Sequence, residues 1–184
     1  YDYTTKAELA SASINTFFTI GVGSSGDRID AISLSNNGTD IYLAMNLYAT
    51  ENRTVIGGLR YEAGGTWSKL FETILSTEAS PKQLLIDPLG DIIILTNSGT
   101  ASTLLKYTTA GVQVGTTLNL ADPSYNLAID TNGNYYYQTV FATFKIDKNT
   151  AQGQAFTGVG TQIRGSGNVG FGSNMTGAQP SVYA

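Results

Sequence analysis

Three times along the chain an apolar strand runs into a glycine turn carrying Asn or Asp. It then re-emerges as a second strand and leads on to a basic residue set between apolar ones. The first copy reads Ile32-Ser33-Leu34-Ser35-Asn36-Asn37-Gly38 and Ile41-Tyr42-Leu43, with Leu59-Arg60-Tyr61 further on. The second is Leu85-Ile86-Asp87-Pro88-Leu89-Gly90 and Ile92-Ile93-Ile94, then Leu105-Lys106-Tyr107. The third is Ala128-Ile129-Asp130-Thr131-Asn132-Gly133 and Tyr135-Tyr136-Tyr137, then Phe144-Lys145-Ile146. Gly38, Gly90 and Gly133 stand 52 and 43 positions apart, the length of one four-stranded unit with variable loops.

Each turn predicts a hairpin. Asp or Asn ahead of Gly supplies the capped and positive-φ positions that a tight reversal needs, and β-branched and aromatic residues on either side suit a pleated surface. Second turns at Ala63-Gly64-Gly65, Ala110-Gly111 and Asn149-Thr150 lead to outer strands expected at Trp67–Ile74, Val112–Leu118 and Gln154–Val159. Each copy is thus a four-stranded antiparallel meander with two apolar faces, which must stack on a neighbour to be stable. The fold class expected is all-β, a tandem array of meanders forming a small β-propeller of about four blades. No helix longer than two turns is expected. Trp67 is expected to bury against the next blade.

The segment Pro81 to Thr117, with Leu85-Ile86-Asp87, Gly90-Asp91-Ile92-Ile93-Ile94, Lys106-Tyr107 and Gly111, resembles the repeats of β-propellers of the NHL and SBBP type. The resemblance spans roughly 28–160, and the first copy departs from it by a longer insertion, Asn46–Gly58. It implies blades around an axis and a binding or scaffold role, with some enzymes in the family. It carries no catalytic residue over, since these vary among members.

The 184 residues are read as one repeat domain. Three copies fall short of the four blades a ring needs. Residues 161–184, rich in glycine, are expected to give inner strands of a fourth blade, with Ala7–Val22 in the segment 1–27 giving its outer ones; alternatively these terminal strands pair with another copy of the chain.

Charged residues make up 13 % of the chain with a formal net charge of −4, so there is no basic stripe for nucleic acid. No apolar run is long enough to span a bilayer. Cysteine and histidine are both absent, which removes thiolate chemistry, the usual general base and most zinc ligands. No cofactor or metal is expected, and neither is an enzyme. A first residue other than Met and a low charge favour an extracellular or surface protein whose leader has been removed.

Candidate sites are few. The triplets beginning at Asn37, Asn52 and Asn174 fit the glycosylation sequon, although chance matches are expected in a chain so rich in Asn, Ser and Thr. Asp130-Thr131-Asn132-Gly133-Asn134 is similar to the start of a calcium loop, but its glycine falls too early and the closing Glu is missing, so a hairpin turn is preferred. Asp87 and Asp91 are expected to cap their turn. Tyr135, Tyr137 and Phe141 are candidate ligand or interface aromatics, with Tyr136 directed to the core. The scattered carboxylates Asp27, Asp30, Asp40, Glu51, Glu62, Glu72 and Glu78 form no motif. Gly21 to Gly26 lacks the Lys and helix of a phosphate loop.

The first expectation for function is an extracellular structural, self-assembling protein, a homo-oligomer joined by its terminal strands into a surface filament. The alternative is a propeller that binds glycans or proteins. A carboxylate-dependent hydrolase or lyase stands third.

Overall fold

The structure, a computed structural model, describes residues 17–18, 28–47, 53–75, 80–120, 122–158 and 160–164. Among them are twelve strands and no helix. They are β1 (Arg28–Leu34), β2 (Asp40–Leu47), β3 (Arg53–Tyr61), β4 (Trp67–Ile74), β5 (Ser80–Ile86), β6 (Ile92–Asn97), β7 (Ser102–Tyr107), β8 (Leu118–Leu120), β9 (Ser124–Ile129), β10 (Tyr135–Thr139), β11 (Thr143–Ile146) and β12 (Thr161–Arg164). They form three four-stranded antiparallel meanders, β1 to β4, β5 to β8 and β9 to β12, each in chain order. The first strands lie side by side, β1 against β5 and β5 against β9. The three sheets are therefore successive blades of a β-propeller.

The repeated turns create this order. In all three the glycine N–H donates to the carbonyl three residues back, Gly38 to Ser35, Gly90 to Asp87 and Gly133 to Asp130, at 2.9 Å each. The glycines hold φ of 74°, 95° and 86°, a region other residues enter at a cost. Asp87 Oδ1 accepts the N–H of Leu89 and of Asp91, both at 2.9 Å, and Asp130 Oδ1 accepts those of Asn132 and Asn134 at 2.9 and 2.8 Å. The hairpin reading of Asp130 to Asn134 and the capping role of Asp87 both stand. Asp91 does something else, described below.

Apolar residues alternate along the strands, so the first and second blades each bury two faces. Tyr42, Ala44, Ile56 and Phe71 of the first blade pack on Leu84, Ile92, Ile94, Leu105 and Tyr107 of the second. Ile93, Leu95 and Leu104 on the reverse of the second blade pack on Leu127, Tyr135, Tyr137 and Ile146 of the third. A side-chain latch recurs at each junction: Asn46 at the end of β2 donates to Ser80 Oγ at the start of β5 (3.0 Å), and Asn97 at the end of β6 donates to the Ser124 carbonyl at the start of β9 (3.1 Å).

The first blade's remaining face carries Leu43, Met45, Val55 and Leu59, covered by Phe17 and Phe18. A Cβ on Gly57 would lie 2.3 Å from the Phe18 ring, so only glycine admits that ring. Trp67 packs on this same face, tilted against Tyr61 at 5.2 Å, and not against the next blade as expected: its β4 position opposite Tyr61 turns it away from the second blade.

Two outer strands also differ from expectation. The third blade is completed by Thr161–Arg164 pairing with β11, while 154–158 is not strand, so 161–164 does not begin a fourth blade. The second blade's outer strand is only Leu118–Leu120, preceded by a single bridge from Gln113 to Tyr107. The other terminal-strand expectations, Ala7–Val22 and 165–184, fall almost wholly outside the described residues. No helix among the described residues is long and apolar enough to cross a membrane.

Candidate functional site

Strand register, more than residue type, decides where the polar groups go. Lys106 pairs with Ile93 and Lys145 with Tyr136, and the corresponding pair in the first blade is Gly58 with Tyr42. The first blade's basic residue, Arg60, stands two positions further on, opposite Asp40. Arg60 is therefore not equivalent in space to Lys106 and Lys145, which it matches in the sequence pattern. Gly58 leaves room that the Phe71 ring fills; a Cβ there would come within 2.7 Å of it.

The shift brings Arg60 to the rim of a cleft of about 390 Å³ between the first and second blades. One wall is the β1–β2 turn with Ser35, Asn36 and Asn37; the other is formed by Leu89, Gly90 and Thr109. Leu70 and Ile86 supply apolar surface. Asn36 Nδ2 donates to the Asp87 carbonyl at 2.9 Å and ties the two turns together. Arg60 donates to Asp40 through Nε at 2.7 Å and Nη2 at 2.9 Å, a two-pronged pair. The Asp40 side chain is almost wholly buried and that of Arg60 half exposed.

The hydrogen bond from Arg60 holds the Asp40 carboxyl below the usual carboxylate range, against the opposing effect of burial. Tyr42 lies one strand repeat further in, on the same face. Burial raises its phenol, and the Asp40 charge adds to that. Its hydroxyl is buried and has no hydrogen-bond partner of normal geometry. A cleft of this size, with a donor-acceptor pair at the rim, an unsatisfied hydroxyl and apolar walls, has the make-up of a small-molecule site.

A second polar cluster is sealed between the second and third blades. Lys106 Nζ, 0 % exposed, donates to the Tyr135 hydroxyl at 3.0 Å and lies 3.5 Å from Asp87 Oδ2 and 3.6 Å from Asp91 Oδ2. The Tyr135 hydroxyl donates to Asp87 Oδ2 at 2.8 Å. The rings of Tyr135 and Phe156 lie 5.3 and 5.2 Å from the amine. Burial raises the Asp91 carboxyl despite the Gly153 N–H and Lys106, and burial together with Asp87 raises the Tyr135 phenol.

The aromatic candidates divide. Tyr135 and Tyr137 are 1 % and 3 % exposed, packed between blades, with Tyr137 stacked on Phe144 at 4.8 Å, so neither offers a face to a sugar. Tyr136, expected in the core, is the half-buried one and donates to Asp130 Oδ2 at 3.0 Å. Phe141 sits in the β10–β11 turn, 63 % exposed and apart from the others. Asn37 lies exposed in the β1–β2 turn, its Oδ1 accepting the Thr39 N–H at 3.1 Å; Asn52 and Asn174 lie outside the described residues. Tyr42 and Asn36 were missed because nothing local marks a cleft formed between two blades. The Asn and Ser latch residues were legible in principle, since they recur at matching places in successive copies.

The chain matches no protein-family model and no curated protein, so the narrower NHL and SBBP assignment finds no match. Among solved structures it is similar to a streptogramin B lyase, at 19 % identity and a TM-score of 0.46 over 64 % of this chain. A virginiamycin B lyase from Staphylococcus aureus matches 68 % of the chain at 15 % identity and a TM-score of 0.47. A protein of unknown function from Bacteroides caccae matches 79 % at 12 % identity and a TM-score of 0.47. The chain spans 37 %, 42 % and 49 % of their respective lengths.

Identities this low concern the fold alone, and the lyase activity is that of the proteins so named. One expectation is corrected here: the chain was read as no enzyme, and two of the structures it is similar to are named as lyases.

Proposed function

We propose that the chain is a ligand-binding β-propeller module that takes a glycan in the cleft between its first and second blades. The observation that carries the reading is the buried Tyr42 hydroxyl, which lies by the Arg60–Asp40 pair without a hydrogen bond of normal geometry. Arginine, aspartate and asparagine present fixed donors and acceptors of the kind sugar hydroxyls need, and Leu70, Ile86 and Leu89 offer apolar surface for the C–H face of a ring. The internally neutralised pair favours an uncharged polyol over an anion.

The test is a glycan array followed by calorimetric titration of the best hit. Saturable binding that is lost in Arg60→Ala, weakened in Tyr42→Phe and unchanged in Phe141→Ala is expected. An array without any saturable signal, or binding indifferent to both cleft variants, overturns the reading.

The self-assembling extracellular protein is a second reading with its own support. Ile29, Ile32 and Leu34 on β1 are 43 %, 61 % and 59 % exposed and form an apolar stripe beside the Phe18-covered face, where a further blade would pack. A second copy of the chain supplies such a blade in this reading. Size-exclusion chromatography with light scattering checks it: concentration-dependent assembly abolished by Ile32→Lys supports it, and a monomer at every concentration removes it.

A further inference from the structure

The ligand-binding reading leaves unused a nucleophile sealed in the interior, the Lys106 amine. Its neighbours converge on the amine and on the Asp87 carboxyl beside it. Asp87 Oδ1 accepts two backbone N–H groups, of Leu89 and Asp91, at 2.9 Å each, while Asp87 Oδ2 accepts the Tyr135 hydroxyl at 2.8 Å and faces Lys106 Nζ at 3.5 Å. The Asp87 carboxyl is thereby fixed, one oxygen in a pair of amide donors and the other toward the amine. Asp91 approaches from the other side, with Oδ2 3.6 Å from Nζ and accepting the Gly153 N–H at 2.8 Å, and Oδ1 buried without a partner. Aromatic rings of Tyr135 and Phe156 close over the group and exclude water.

We propose that Lys106 and Asp87 condense after folding into an amide that cross-links β7 to the end of β5. The Lys106 ammonium first passes a proton to Asp87 Oδ2, giving a neutral amine and carboxylic acid, the form a dry interior penalises least. The Nζ lone pair attacks Asp87 Cγ, and the C=O π electrons move to Oδ1, where the two N–H donors stabilise the oxyanion. Asp91 takes a proton from Nζ and gives one to the Oδ2 hydroxyl; the C–Oδ2 bond breaks, the carbonyl re-forms and water leaves. One ammonium and one carboxylate become one amide and one water, with no oxidant or co-reactant. Burial raises the Asp91 carboxyl toward the protonated form that this exchange uses.

Intact-mass spectrometry of the purified, denatured wild-type chain tests this directly. A mass one water below that of the sequence is expected, with digestion yielding a branched peptide that contains both Lys106 and Asp87. Lys106→Arg is expected to restore the full mass, and Asp91→Asn, which keeps the shape of the side chain, to leave most molecules at full mass. A wild-type chain at full mass overturns the proposal whether or not the variants fold, and so does a water loss mapped to one linear peptide, as in an aspartyl dehydration.

Discussion

The two blade junctions are built on the same plan and differ at one ladder position. Between the first and second blades that position is Gly58, filled by the Phe71 ring, and the basic residue has moved to the rim as Arg60. Between the second and third it is Lys106, whose amine is buried with two carboxyls and a phenol. One junction is apolar inside and open at its polar end; the other is polar inside and closed. Similar turns and latches thus support either an accessible site or an internal polar cluster, and two residues of strand register choose between them.

The sharpest way to break the comparison is to remove the Lys106 side chain. Lys106→Ala leaves Asp87 and Asp91 facing each other without it, and a loss of about 3–5 kcal/mol in urea unfolding is expected. Next in size is Gly58→Ala, where a Cβ 2.7 Å from Phe71 Cε1 displaces the ring; about 1–3 kcal/mol is expected, partly recovered by adding Phe71→Leu. Equal costs for Gly58→Ala with and without Phe71→Leu would show that the ring is not what the glycine accommodates.

How much of this was legible in the sequence follows from the range of each interaction. The turns at Gly38, Gly90 and Gly133 depend on residues within five positions, and they, with the strand ends at Tyr61, Tyr107 and Ile146, were readable. Which face of a strand is covered depends on the neighbouring blade. The first turn has one residue more than the others, Ser35 closing on Asp40 where Asp87 closes on Asp91 and Asp130 on Asn134. The offset between Arg60 and Lys106 arises instead in the β2–β3 and β6–β7 hairpins, which differ in length, so a linear alignment does not show it. Tyr135 and Tyr137 were assigned outward for a related reason: the third blade is covered on the side of the second, and alternation alone does not say which side that is.

Acidity separates the junctions with opposite signs. Asp91 binds its proton more tightly in the folded chain, so stability falls as pH rises from the ordinary carboxylate range, near ~4, to its raised value. Asp40 is lowered, so its contribution is present above that ordinary range and is lost as pH falls through its lower folded value. Urea midpoints against pH are expected to lose the first dependence in Asp91→Asn and the second in Asp40→Asn. The smallest effect expected is on the melting temperature of Arg60→Ala, because a half-exposed guanidinium adds little to stability. A large drop there would make Arg60 a structural residue and weaken the case for the cleft.

Gly57 and Gly58 seat Phe18 and Phe71 on opposite sides of one strand. Any amino-acid replacement at either place adds atoms where a ring already sits, so among descendants of this gene these two residues should drift least. Their partners are freer, because a smaller side chain at 18 or 71 leaves a gap where a larger one at 57 or 58 makes a collision. The record of that history should therefore be asymmetric, with the rings varying over an unchanging pair of glycines.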